Sequence, residues 1–211
     1  MSDPADLHPL WLGDKPLVLA SGSATRFALL TAAGIPVEVM RPEVDERAIA
    51  DPQEAQGVAA DQIARSLAHA KALAVSKRVL DRIVIGADQT LALGKKLLHK
   101  PVDRDAAAEQ LSRLSGRTHV LHSAVVIARS NKTIVSFVGA ARLTMRRLSP
   151  AMIDSYLDAA GDAVRESVGG YQLERTGIHL FRRITGEHTA ILGLPMLETL
   201  AQLRRLGLVT E

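Results

Sequence analysis

Asp88 follows the apolar run Ile83-Val84-Ile85-Gly86-Ala87 and precedes Gln89, so the pattern reads as a carboxylate at the end of a buried strand. Such a carboxylate is costly unless it is paired or holds a metal, and α/β proteins place their sites at strand ends. An Asp that opens a turn by accepting from nearby N–H groups is the competing explanation. Ser21-Gly22-Ser23 likewise ends the run Leu17-Val18-Leu19-Ala20, and Thr25 and Arg26 fall in the first turn of the helix that follows. Free N–H groups at a helix N-terminus, two hydroxyls and a guanidinium suit an anion, and Gly22 allows close backbone approach. A plain capped helix with an exposed arginine uses the same letters.

Other chemistry is more scattered. Glu43, Asp45 and Glu46 form an acidic trio. Mg²⁺-like cations take one or two carboxylates plus substrate phosphate and water, although a solvated loop capping the next helix also accounts for the trio. Lys71 shares a helical stripe with Ala64, Leu67, Ala68 and Val75, so its stem follows the apolar face. Its ammonium then either snorkels to water or meets an anion. Lys100 stands in His99-Lys100-Pro101, where the proline fixes the chain direction. Gly169-Gly170-Tyr171-Gln172-Leu173-Glu174, with Gly193-Leu194-Pro195 downstream, permits tight backbone beside a ligand and offers Glu174 to a base edge; a structural turn fits as well. His99, His119, His122, His179 and His188 lack metal-ligand spacing and read as surface or core residues.

The elements that must position these residues alternate. Strands are predicted at Leu17–Ala20, Val37–Met40 and Ile83–Ile85, with a hairpin joining 91–93 to 97–98 around Gly94-Lys95. Two longer strands, Thr118–Ala128 and Thr133–Met145, flank the turn-like Ser130-Asn131-Lys132. Helices are predicted from Ala24 to Ala33, from about Gln56 to Lys77, from Arg104 to Leu114, from an N-cap at Ser149 to Gly161, and from Pro195 to Leu206. The acidic trio sits in a loop, and the segment from Val168 to Leu192 is glycine-punctuated. Short crossovers together with hairpins predict an α/β fold with a mixed sheet.

The bulk numbers narrow the function. At 47% hydrophobic composition, 211 residues bury one sizeable core, organised as a tail over 1–14, whose Trp11 is expected to pack onto the body, and a single domain over 15–211. The absence of cysteine excludes disulfides, thiolate zinc and a cysteine nucleophile, and it fits a cytoplasmic location. No apolar run approaches the roughly 20 residues that span a bilayer, and the acidic start with Asp3 and Asp6 is not a secretory signal. A pI near 9.4 invites a polynucleotide partner, but the net charge is only +3, the basic residues are dispersed, and aromatics are 3%. Small phosphorylated ligands suit that balance better.

The ordered set Ser21-x-Ser23-x-x-Arg26, Glu43-x-Asp45-Glu46, Lys71-Ala72, Gly86-Ala87-Asp88, Lys100-Pro101, Leu114-Ser115-Gly116, Gly170-Tyr171-x-Leu173-Glu174 and Gly193-Leu194-Pro195 resembles the Maf family of nucleotide pyrophosphatases. The resemblance runs from Leu17 to Leu203. It implies a mixed-sheet fold related to inosine triphosphate pyrophosphatase, with two lobes flanking a cleft. It also implies Mg²⁺- or Mn²⁺-dependent hydrolysis of a nucleoside triphosphate to the monophosphate and pyrophosphate, with a homodimer among the expectations. By the same resemblance Asp88 is the catalytic carboxylate and a metal ligand, Glu46 helps hold the metal, and Lys71 and Lys100 face the phosphates. Ser21 and Ser23 form the phosphate-binding turn. Thr25, Gln89 and Glu174 occupy substrate-selecting positions. Gln89 with Glu174 resembles the subgroup acting on 7-methyl-GTP more than members acting on dTTP and UTP, because a carboxylate accepts from guanine donors and favours the charge of an N7-methylated base. Thr25 departs from both subgroups, Ser167 stands where Lys is frequent, and Arg175 where Gly is usual. Those departures also suggest a rival: a nucleotide-binding regulator of cell division that does not cleave.

Overall fold

The computed structural model describes residues 8–211. Seven strands form one mixed sheet: β1 (Leu17–Ala20), β2 (Val37–Val39), β3 (Val84–Leu93), β4 (Lys96–Leu98), β5 (Thr118–Arg129), β6 (Lys132–Met145) and β7 (Phe181–Thr185). The order is β2-β1-β3-β5-β6-β7, with β4 also paired to β3. β1 runs parallel to both β2 and β3, and the remaining pairs are antiparallel. The α/β class and mixed sheet expected from the sequence are therefore present. Helices are α1 (Ala24–Ala32), α2 (Glu46–Ala55), α3 (Ala60–Ser76), α4 (Arg104–Leu114), α5 (Pro150–Ala160), α6 (His188–Ile191) and α7 (Met196–Arg205).

One irregularity organises the molecule. β5 pairs with β3 from Val84 to Ala92, filling one side of that strand. On the other side, β1 reaches only Val84–Gly86 and β4 only Leu91–Leu93. Between them, residues 87–90 have no strand neighbour on that side. The sheet is notched there.

The apolar contacts divide at the same place. Ile85, Ala87, Val125 and Ile127 pack with β1, Leu30 of α1 and Leu203 of α7. Leu91, Leu121 and Leu143, on the same face, pack instead with Leu111 of α4 and Leu157 of α5. Two lobes thus share three continuous strands, and the notch opens between them. The opposite face is covered by α3, whose Ala64, Ala68 and Ala72 meet Ala124, Val126 and Ala128. Small residues are needed here: a Cβ built on Gly86 would lie 2.4 Å from the Ala68 carbonyl oxygen and 2.5 Å from the Ala72 nitrogen. Helix and strand backbones are in direct contact.

Local signals behave as the letters suggest. Ser149 caps α5 by accepting from Met152 N, with Pro150 at its first position. Ser130 and Asn131 both have positive φ, matching a two-residue turn between β5 and β6. Three features differ from the sequence reading. Residues 46–55 are helical although Pro52 lies inside α2; the proline and the polar composition hide that helix. β7 lies in the glycine-rich segment, where its pairing with β6, not any local pattern, defines it. Most consequentially, β3 does not end at Ile85 but runs on to Leu93, because β5 supports its whole length. Trp11 is buried and bridges to Val209, as expected of its packing, whereas Asp3 and Asp6 lie outside the described residues.

In the second lobe His119 is fully buried, with Nε2 2.6 Å from the Tyr171 hydroxyl and Nδ1 without a partner among the described residues. Burial lowers its pKa to about 4 from the ordinary 6.5. The unfolded chain therefore binds a proton first as pH falls, so this contribution to stability is intact above pH 6.5 and is lost between 6.5 and 4. The loss should approach roughly 3 kcal/mol. Urea unfolding of wild type and His119→Gln across that window checks it: the variant keeps a partner for Tyr171 and should lose less stability on acidification.

Candidate active site

The structure brings the sequence-predicted residues onto one cleft of about 1100 Å³ at the notch. Ser21, Ser23, Thr25 and Arg26 line one wall, Glu46, Lys71 and Asp88 the floor, and Gln89, Lys100 and Glu174 the remainder. That volume lies just above the roughly 300–1,000 Å³ of small-ligand sites and leaves room for a nucleotide.

Asp88 is not at a strand end. It sits mid-strand in β3 beside the notch, just beyond the end of parallel β1, so its neighbour rather than its own strand stops there. Its side chain projects toward α3, where Lys71 Nζ donates to Oδ1 at 2.6 Å. The same ammonium lies 2.8 Å from Glu46 Oε1. Lys71 is only 7% exposed, so it meets anions instead of snorkelling. Gly86 allows α3 to approach β3, and that approach brings Nζ within reach of Asp88. Burial raises the Asp88 pKa above the ordinary carboxylate value, against the opposing pull of Lys71 and then Arg26. Oδ2 has no hydrogen bond with the described residues, yet it is not among their buried unpaired atoms, so solvent in the cleft reaches it. One oxygen is held and the other is free. Of the rest of the acidic trio, Asp45 caps α2 through Ala48 N, and Glu43 lies 3.6 Å from Arg78.

The opposite wall is the β1–α1 turn. Ser23 is the N-cap of α1 and accepts from Arg26 N, while Ser21 Oγ accepts from Ser23 N. Arg26 is more committed than an exposed first-turn arginine. Its Nη1 donates to Ser21 Oγ at 3.2 Å and to the Ala87 carbonyl at 2.9 Å, and its Nε donates to the Gly193 carbonyl at 2.9 Å. It thereby satisfies a β3 carbonyl that the notch leaves without a strand partner. Burial lowers its pKa, and Asp88 and Glu46 oppose that shift. Among the described residues only Nη2 has no acceptor. Gly193 has φ +94, and a Cβ there would lie 3.2 Å from Arg26 Nε, so this turn requires glycine.

Gln89 faces the other side of the sheet, in the gap between the two apolar clusters. Its Nε2 donates to Ser123 Oγ at 2.9 Å and to the carbonyls of Ala190 and Ile191 at 3.0 Å each. Ser123 Oγ donates to Ala190 O at 2.7 Å. Those acceptors fix the amide orientation, leaving Oε1 as the atom available to a ligand. Glu174 and Lys100 are exposed at the rim. Ser167 lines the cleft and donates to the Tyr171 carbonyl at 2.9 Å, whereas Arg175 lines a separate cavity of about 140 Å³ with Tyr156 and Thr176. Sequence reasoning missed Arg47, which lines the cleft from the first turn of α2, and Ser123. Recognising helix 46–55 exposes the first; only the β3–β5 register exposes the second.

Among the described residues no three His, Cys, Asp or Glu side chains converge as a metal site. The protein offers a cation the oxygens of Glu46 and Asp88, a hard donor pair that suits Mg²⁺ or Mn²⁺ when phosphate and water complete the shell. The cleft therefore fits a cation accompanied by a polyphosphate, and it does not fit one caged by protein alone. No helix among the described residues is long and apolar enough to cross a membrane.

The chain is similar to known proteins over nearly its whole length. The chain is 51% identical to a nucleoside triphosphate pyrophosphatase of Rhodopseudomonas palustris (strain BisB18), covering 93% of this chain and 96% of that protein. A nucleoside triphosphate pyrophosphatase of Nitrobacter winogradskyi is 52% identical, over 92% and 96% respectively. A 7-methyl-GTP pyrophosphatase of Rhizobium meliloti (strain 1021) is 47% identical, over 92% and 98%. The family model described as Maf-like protein matches residues 16–206. With that match over nearly its whole length, the chain belongs to the Maf family.

Proposed function

We propose that the chain is a cytoplasmic enzyme that hydrolyses a nucleoside triphosphate to the monophosphate and pyrophosphate, removing non-standard nucleotides, with a 7-methyl-GTP-like purine preferred over dTTP and UTP. The convergence of Asp88, Lys71, Ser23 and Lys100 on one nucleotide-sized cleft carries this reading. The names of relatives about half identical over nearly the full length support it.

The triphosphate lies along the β1–α1 turn, where first-turn N–H groups and the Lys100 ammonium face its oxygens. Asp88 Oδ2 orients a water and takes its proton as the water oxygen attacks the α-phosphorus. The bond from that phosphorus to the bridging oxygen breaks, and pyrophosphate departs with the electron pair. Glu46 and Asp88 would hold Mg²⁺ or Mn²⁺ together with the substrate, and the cation would supply charge neutralisation at phosphate oxygens. Until substrate binds, Lys71 holds Asp88 Oδ1, and the second oxygen is left open to the cleft. At the base end, Gln89 Oε1 and the Glu174 carboxylate are both acceptors. That pair matches the N1–H and N2–H₂ donors of guanine, and the charge of Glu174 suits an N7-methylated ring. Thr25, which departs from both subgroups, lines the same cleft.

A panel of common and modified nucleoside triphosphates with Mn²⁺ tests the reading. Monophosphate and pyrophosphate should appear in equal amounts, with a higher kcat/KM for 7-methyl-GTP than for dTTP or UTP. Orthophosphate as the product, or no turnover of any member, rules the reaction out; a reversed ranking rules out only the base preference.

A further inference from the structure

The floor of the cleft holds two carboxylates, Glu46 Oε1 and Asp88 Oδ1, and a single ammonium joins them. Lys71 Nζ lies 2.8 Å from the first and 2.6 Å from the second. That ammonium stands where a cation bridging the two acids would stand. The stem of Lys71 is fixed: it shares its helix face with Leu67, Ala68 and Val75, all buried, and α3 is pressed against Gly86. Glu46 and Asp88 are its only ion-pair partners among the described residues. Among the described residues the ammonium thus has no other acid to neutralise its charge.

We propose that Lys71 is the resident counter-ion of the Glu46–Asp88 pair, so that the divalent cation binds with the nucleotide and not ahead of it. As both arrive, the ammonium exchanges its carboxylates for a phosphate oxygen. The inference deepens the triphosphate-hydrolase reading and rests on it. Three charges set the order. A lone divalent cation approaching the two carboxylates meets a buried like charge already paired with both, and like charges with no alternative partner exclude one another. A triphosphate changes both sides of that balance. Its oxygens complete a coordination shell that two protein oxygens cannot fill. It also offers the displaced ammonium a new anion, which an ammonium, with three freely directed donors, can meet by a small rotation of its stem. Uptake of cation and nucleotide is then strongly coupled, and by linkage each raises the affinity for the other equally.

Mn²⁺ titrations of the full chain followed by electron paramagnetic resonance, alone and with an α,β-methylene nucleoside triphosphate, decide the matter without turnover. Wild type should bind Mn²⁺ about tenfold or more tightly with the analogue than without it. Lys71→Met removes the counter-ion at nearly constant volume. It should therefore gain about tenfold in affinity for Mn²⁺ alone, with a correspondingly smaller effect of the analogue. Wild type binding Mn²⁺ equally well with and without bound analogue overturns the proposal. So does a folded Lys71→Met that binds Mn²⁺ alone no more tightly than wild type. Should that variant not fold, the wild-type comparison decides by itself. An analogue that binds neither with nor without Mn²⁺ sinks the triphosphate reading instead, and the Lys71→Met titration with Mn²⁺ alone still judges the counter-ion.

Discussion

Asp88→Asn should lower kcat by at least about 10²-fold while leaving the fold intact. Asparagine has nearly the shape of aspartate, and its carbonyl oxygen can still accept from Lys71 Nζ, which also keeps Glu46 at 2.8 Å. What disappears is the oxygen that takes a proton from water and the negative charge on the cleft floor. Burial already makes the charged form of Asp88 expensive, so a neutral side chain relieves desolvation even as it weakens the pair with Lys71. Thermal unfolding should accordingly shift little compared with the loss of turnover. Pyrophosphate release beside a melting curve measures both. A variant with wild-type turnover removes Asp88 from the chemistry.

The largest effect on stability should come from a single methyl group. Gly86→Ala places a Cβ 2.4 Å from the Ala68 carbonyl oxygen and 2.5 Å from the Ala72 nitrogen, both backbone atoms that no rotamer change can clear. α3 must move away from β3, opening the contacts of Ala64, Ala68 and Ala72 with β5. Overpacking of this kind costs about 3 kcal/mol, at the upper end of the usual range because the obstacle is main chain. For a domain of this size the melting temperature should fall by about 6–12 °C. The same displacement carries Lys71 away from Asp88, so activity should fall even where the variant remains folded. Differential scanning calorimetry and pyrophosphate release at a temperature below both transitions separate the two losses. An unchanged melting temperature means that the helix and strand are not in the contact described.

Much of this was legible in the letters because the relevant signals are local. A run of small residues on α3, a serine cap with a following proline on α5, and the Ser130-Asn131 turn each specify their element within a few positions. The identities of the cleft residues were legible too, since ordered motifs survive without knowledge of where strands pair. What the letters could not carry was non-local. The true length of β3 depends on β5, nearly forty residues downstream in register, and that pairing moves Asp88 from a strand end to the middle of one. The engagement of Arg26 with Ala87 and Gly193 joins positions 61 and 167 residues away. Gln89 looked free to read a base, but three acceptors hold its amide nitrogen, two of them backbone carbonyls of α6. Lys71 allowed two outcomes on a helical wheel, and only the approach of α2 and β3 selects between them.

Because β3, β5 and β6 pass uninterrupted beneath the notch, the two lobes are not joined by a swivel. They resemble weights fixed to a common leaf spring. Any narrowing of the cleft has to bend that shared ribbon, since no single joint lets one half swing against the other.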